Sequence, residues 1–303
     1  MLALILLVAI VAGAGWLLLR PHPHARGHRV AAMTPATLAT PTPFETPTPL
    51  ETPSPPPAPA ASAATSPPSP AIAPSVAPAP SGTKLALIID DCGQWIDTER
   101  GFVALDVPLT LSILPDVPYT AEIAREASAA GKGIMLHLPM ETVSGLNPGP
   151  GKVTTEMSDP QIVTQVQDDL AQVPLARGVN NHEGSKASAD SRVMHAVIGV
   201  LAQHGNLFFI DSRTSQDSVG EQTAQAMDVP AAARDVFLDN RADVAYTQEQ
   251  LLAAAAIARR TGSAIAIGHP RPSTLAAVRS MIPQLQAAGI EFVLVQDLVT
   301  TAR

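Results

Sequence analysis

From Lys84 onward the chain repeats one pattern, a short apolar run followed by a longer amphipathic stretch. The runs cover residues 85–89, 109–114, 133–136, 178–180, 207–210, 236–238, 264–267 and 292–295. Near-continuous apolar strands of this kind belong to parallel sheets covered on both faces. The stretches between them carry helix signals. Residues 158–161 and 247–250 read as capping boxes, Ser273 as the cap of a helix over 274–288, and Gly131, Gly205, Gly262 and Gly289 as left-handed C-terminal caps. Seven or eight such units predict an α/β fold, a closed or nearly closed (β/α) barrel, with a doubly wound open sheet as the competing topology.

Both topologies place their sites at the carboxyl ends of strands, and polar residues fall there. The first run ends in Asp90-Asp91-Cys92-Gly93. Two adjacent carboxylates are costly to bury without a cation or a proton. Successive strand residues point to opposite sides, so one can hold a metal while the other accepts a proton; a plain turn is the alternative. Later runs lead into His137 and Glu141, Asn180 through Lys186, Asp211-Ser212-Arg213, Asp239-Asn240-Arg241 and Gly268-His269-Pro270. Carboxylates and three histidines from six strands are therefore expected at one mouth. His22, His24 and His28 in the tail, and His195 and His204 in a helical pattern, are expected to be solvated or surface residues.

Asp, His and a third ligand with an open position form the pattern for a catalytic divalent ion, zinc first among them. His137 and Glu141 share one face if a helical turn forms there, although Pro139 opposes a regular helix; His182 is the competing third ligand. Such an ion activates water toward an amide or ester carbonyl. Asp90 is the candidate to receive the proton and His269 the candidate to protonate the leaving amine. Lys186 and Arg213 tune carboxylates or bind substrate oxygens, or else form strand-end salt bridges. Cys92, the only cysteine, excludes an intrachain disulfide and reads as a packing residue.

The segments IIDDCG, LHLPME, GVNNHEGS, FFIDSRT, VFLDN and AIGHPRPST resemble those of the divergent polysaccharide deacetylase family, a distant relative of the NodB-type carbohydrate esterases. The resemblance covers residues 84–299. It implies a distorted NodB-like (β/α) barrel, a bacterial envelope location and removal of acetyl groups from an N-acetylated polysaccharide or peptidoglycan-like glycan. A catalytically inactive protein that binds glycan through the same groove is the alternative. Carried over by motif, Asp90 is the base, Asp91 a metal ligand and His269 the late histidine. His137 matches the first of two histidines spaced by four, and Glu141 stands at the second. Asn181, His182 and Asp211 occupy the remaining strand ends; His182 joins Asp91, His137 and Glu141 as an expected metal ligand, and Asn181 and Asp211 with Lys186, Arg213 and Asp239 make up the expected substrate-binding or tuning set.

The N-terminal third reads differently. Residues 1–19 carry no charge and just reach the ~20 residues of a membrane helix, so an uncleaved anchor is expected there. Arg20, Arg26 and Arg29 follow the span, the reverse of the placement expected for an exported domain, and basic residues upstream of Met1 would reconcile the two. Residues 20–82 hold 18 of the 30 prolines and read as a disordered spacer. The expected location is a bacterial inner membrane, single-pass, with residues 83–303 outside the cytoplasm. That last segment carries 16 basic against 25 acidic residues, which excludes nucleic acid as a natural partner and leaves a sugar polymer permitted.

Overall fold

Apolar runs that are buried on both faces become the strands of one parallel sheet. The structure, a computed structural model, describes residues 78–301. Within them lie β1 (Thr83–Cys92), β2 (Thr110–Ile113), β3 (Gly133–Met140), β4 (Gly178–Glu183), β5 (Phe208–Asp211), β6 (Ala231–Ala233), β7 (Val236–Phe237), β8 (Ser263–Gly268) and β9 (Ile290–Val293). The helices are α1 (Ile96–Val103), α2 (Thr120–Ala129), α3 (Asp159–Gln172), α4 (Ser191–His204), α5 (Gly220–Ala226), α6 (Val244–Thr261) and α7 (Pro272–Ala287). The expected membrane helix over 1–19 and the linker up to residue 77 lie outside the described residues. Among the described residues no helix is long and apolar enough to cross a membrane. Of the linker's last residues, Ala79 donates its N–H to the Ala288 carbonyl at 2.7 Å.

The ladder runs β6-β5-β4-β3-β2-β1-β8-β7, and β9 pairs with the first half of the β1 edge whose second half carries β2. β6 and β7 sit at opposite ends of this ladder, yet only Arg234 and Asp235 separate them in sequence. Two intervening residues reach at most ~10 Å, so the sheet is curled until its edges nearly meet. Arg234 N–H bonds the Asp211 carbonyl on one edge, and Asp235 N–H bonds the Ile265 carbonyl on the other. The result is a curled, incompletely closed barrel of nine strands among the described residues. β6, three alanines, is the strand that apolar periodicity alone did not reveal.

Strand alternation divides the apolar side chains in two. Leu85, Leu87, Ile89, Leu111, Ile113, Leu136 and Leu138 join the helices in the large core. Ala86, Ile88, Met135, Ile210, Ile265 and Ile267 form a second cluster inside the curl. Two residues further up the same inward rows come Asp90, His137 and Ser212, and Ser112 and Asn180 share that parity on β2 and β4. The barrel interior thus changes from aliphatic to polar at its carboxyl end.

Helix starts differ from expectation in two places. Ser158 and Gln161 do form the capping box of α3. The helix expected to start near Thr247 starts earlier, because Asp243 accepts the Tyr246 N–H and caps α6, leaving Thr247 buried in its first turns. Ser273 likewise falls inside the first turn of α7, after Arg271 and Pro272. Gly205 and Gly262 cap α4 and α6 in the left-handed conformation as expected.

Asp169 on α3 is fully buried, and its Oδ2 has no hydrogen-bond partner among the described residues. Burial raises its pKa to about 7, despite one bond from Gln165. A carboxyl raised on folding gives stability that is complete below its unfolded pKa and lost as pH climbs through about 7. Asp169→Asn is therefore expected to gain ~2 kcal/mol over the native chain at pH 8 and nothing at pH 4, as read by denaturant unfolding. Equal gains at both pH values would contradict this.

Candidate active site

The polar layer is organised around Asn180, which register places beside His137. Its Oδ1 accepts from His137 Nδ1 at 2.8 Å and from the Ser112 hydroxyl; its Nδ2 donates to Asp90 Oδ1 at 2.9 Å and to Ser212 Oγ at 3.1 Å. An amide oxygen can only accept, so His137 carries its proton on Nδ1 and presents the Nε2 lone pair to the cavity. A partner on the far nitrogen that fixes the tautomer is the usual support of a metal-binding imidazole.

β1 is irregular where the second carboxylate stands. Its register against β2 shifts between Ile89 and Cys92, and Asp91 adopts φ 57°, in the left-handed region. That conformation costs a non-glycine residue ~1–2 kcal/mol and cancels strand alternation. The expectation that the two carboxylates face opposite sides is thereby corrected: both line one cavity of about 380 Å³. Asp91 Oδ1 lies 3.2 Å from His137 Nε2 and 2.9 Å from His182 Nδ1, and those two nitrogens are 3.1 Å apart.

Asp91 Oδ1 is buried and makes no well-formed hydrogen bond. Donor atoms bound at ~2.1 Å to a small divalent ion stand ~3 Å apart, so this trio has the spacing, the chemistry and the unsatisfied oxygen that such an ion requires. Burial works to raise the Asp91 pKa, but the two imidazoles outweigh it and hold the carboxyl below the ordinary range. Asp90 is shifted the other way: burial pushes its carboxyl up, against the pull of His137 and His269.

Across the cavity, His269 Nδ1 lies 2.9 Å from Asp239 Oδ1, and its Nε2 is 3.8 Å from Asp91 Oδ2. Asp239, wholly buried, also accepts the His269 N–H at 2.8 Å and the Thr274 hydroxyl at 2.6 Å. Burial alone would lower the His269 pKa, but Asp239 and the site carboxylates raise it. His269 therefore holds a second proton more readily than a free imidazole, with Nε2 as the donor directed at the cavity.

Of the expected residues, Asp90, Asp91, His137, His182, Asn181 and His269 line the cavity, and Asp239 backs it. Asn181 Oδ1 accepts the Ser212 N–H and its Nδ2 donates to the Glu183 carbonyl, so it braces the rim. Asp211 accepts from the Arg213 N–H, the Ser218 hydroxyl and the Glu221 N–H, shaping the loop after β5 rather than facing a ligand. Lys186 pairs with Glu141 at 2.7 Å and Arg213 with Glu221 at 3.0 Å, the strand-end salt bridges weighed from sequence.

Glu141 is not brought to the ion-binding trio. β3 stays extended through Pro139 to Met140, so residues four apart are separated by ~13 Å instead of one helical turn. The Glu141 carboxylate is occupied by Lys186 and by the Thr155 N–H and hydroxyl, which pull its pKa down to about 2. His182, from β4, takes the third place. Glu141→Ala is expected to leave the bound-metal stoichiometry unchanged by atomic absorption; loss of the ion would restore Glu141 as a ligand.

Residues 87–299 match the family described as divergent polysaccharide deacetylase. A Haemophilus influenzae protein of uncharacterized function is 37% identical over 203 residues, 67% of this chain and 72% of its own length. Escherichia coli YibQ, also uncharacterized, is 35% identical over 202 residues, covering 67% of this chain and 63% of its own. The crystal structure of an uncharacterized Agrobacterium tumefaciens protein superposes with TM-score 0.69 at 25% identity, over 73% of this chain and 90% of that one.

Proposed function

This chain belongs to the divergent polysaccharide deacetylase family, and on that premise we propose that it hydrolyses acetyl amide bonds of an N-acetylated envelope glycan. Asp91, His137 and His182 would hold a divalent cation, zinc first. The observation that carries the reading is the convergence of these three donors between a buried carboxylate, Asp90, and an imidazole locked by Asp239.

When bound, the cation polarises the acyl oxygen and makes water more acidic. Asp90, its carboxyl raised by burial, is suited to take the proton from the water that attacks the acetyl carbon. His269 gives its Nε2 proton to the nitrogen as the C–N bond breaks, releasing acetate and a free amine. Asn180 holds both Asp90 and His137 in register for this exchange. Trp95, Tyr119, Val143 and Leu146 are exposed on loops that leave the carboxyl ends of β1, β2 and β3, which supports an extended ligand lying across the mouth. The apolar, uncharged segment 1–19 and the Pro-rich stretch after it support a tethered domain, which an envelope glycan as substrate requires outside the cytoplasm.

Purified full chain, loaded with zinc, is expected to release acetate from chito-oligosaccharides or peptidoglycan. Glycan binding with no acetate released under any metal would favour the non-catalytic reading. Asp239→Asn is expected to lower kcat about a hundredfold with the ion retained, since it frees His269 without touching a ligand. An unchanged kcat would remove His269 from the acid role.

A further inference from the structure

Arg234 lies in the two-residue connection that bridges the edges of the curled sheet, and it lines the same cavity as Asp90, Asp91 and His269. Its Nε donates to the Ser212 carbonyl at 2.8 Å and its Nη2 to the Arg213 carbonyl at 3.1 Å. Its Cζ sits 5.2 Å from the centre of the Phe237 ring, and that ring packs 5.2 Å from His269. The guanidinium is thus oriented by two carbonyls and an aromatic face, and its own Nη1 keeps no hydrogen-bond partner among the described residues.

Carbonyls orient a guanidinium without neutralising it. The rim cations Lys186 and Arg213 each have a glutamate at 2.7 and 3.0 Å, but no described carboxylate forms an ion pair with Arg234. It is the only lysine or arginine lining this cavity among the described residues. Burial works against its charge, so the position carries a cost that a partly buried anion would relieve. Asp90, Asp211 and Asp235 support that charge through space, but none of them forms an ion pair with it, and the Asp90 oxygens face Asn180 and His137. A guanidinium with a free donor edge matches a carboxylate or a phosphate through paired N–H bonds, and of the two the carboxylate is the group that an N-acetylated sugar of the proposed glycan carries.

We propose that Arg234 is a specificity-determining residue and that the N-acylated sugar accepted here carries a carboxylate beside its acetamido group. The inference rests on the glycan reading of the site. It is tested with N-acetylmuramic acid and N-acetylglucosamine, which differ by a lactyl ether carboxylate, titrated into zinc-loaded full chain by calorimetry. The native protein is expected to bind the muramic sugar at least tenfold tighter. Arg234→Gln should abolish that preference; Arg234→Lys, a point charge without the fork, should keep part of it.

Equal binding of the two sugars by the native chain, which needs no variant to fold, overturns the proposal. A preference that survives Arg234→Gln also overturns it, as does failure to bind either sugar. Acetate release from neutral oligomers with no carboxylate preference would sink this inference alone. A carboxylate preference without acetate release would sink the hydrolase reading alone.

Discussion

Asp90→Asn is expected to cut acetate release about a thousandfold while one divalent ion per chain stays bound. Asparagine keeps the shape and can still accept from Asn180 Nδ2, so the polar layer survives. The lost element is a base, and general-base catalysis by a positioned side chain contributes ~10²–10⁴. The ion is untouched because its donors are Asp91, His137 and His182. A drop in metal content parallel to the drop in rate would make Asp90 a ligand, and an unchanged rate would remove it from the chemistry.

Asn180→Leu is the second large effect, and it is expected in stability and metal affinity together. One amide joins Ser112, His137, Asp90 and Ser212 across four strands of the curl. Leucine of similar size leaves the His137 Nδ1–H and an Asp90 oxygen buried without partners, at ~1–3 kcal/mol each. It also frees the imidazole tautomer, for which loss of such support weakens metal binding ~10–100-fold. The expected result is a fall of ~2–4 kcal/mol in unfolding free energy together with a zinc Kd raised by one to two decades. Loss of stability with an unchanged Kd would show that Asn180 supports the fold but not the ligand.

Much of this was legible in the residues, because the fold rests on patterns that the chain displays locally. Seven of the nine described strands fall on leucine-rich or β-branched runs, and β4 on a short Gly-Val-Asn run; the catalytic candidates follow the rule that sites gather at strand ends. What was not legible depends on conformation rather than on residue type. Nothing in the pair Asp90-Asp91 announces that Asp91 turns left-handed and brings both carboxylates into one cavity. Whether His137 and Glu141 meet depends on helix or strand, and Pro139 permitted extension. Asn180 belongs to the polar segment expected at the end of its run, yet only Asn181 enters the expected site set, although counting back by two from His182 places Asn180 on the inward row. Arg234 follows three alanines, and only the near-closure of the sheet brings it to the site.

The central claim is that Asp91, His137 and His182 hold one divalent cation, and crystals of the zinc-loaded protein measured across the zinc absorption edge test it directly. The account predicts a single anomalous peak within ~2.3 Å of Asp91 Oδ1, His137 Nε2 and His182 Nδ1, absent from crystals of the His182→Ala variant. No peak there at saturating zinc, or a peak that persists when His182 is removed, would contradict it.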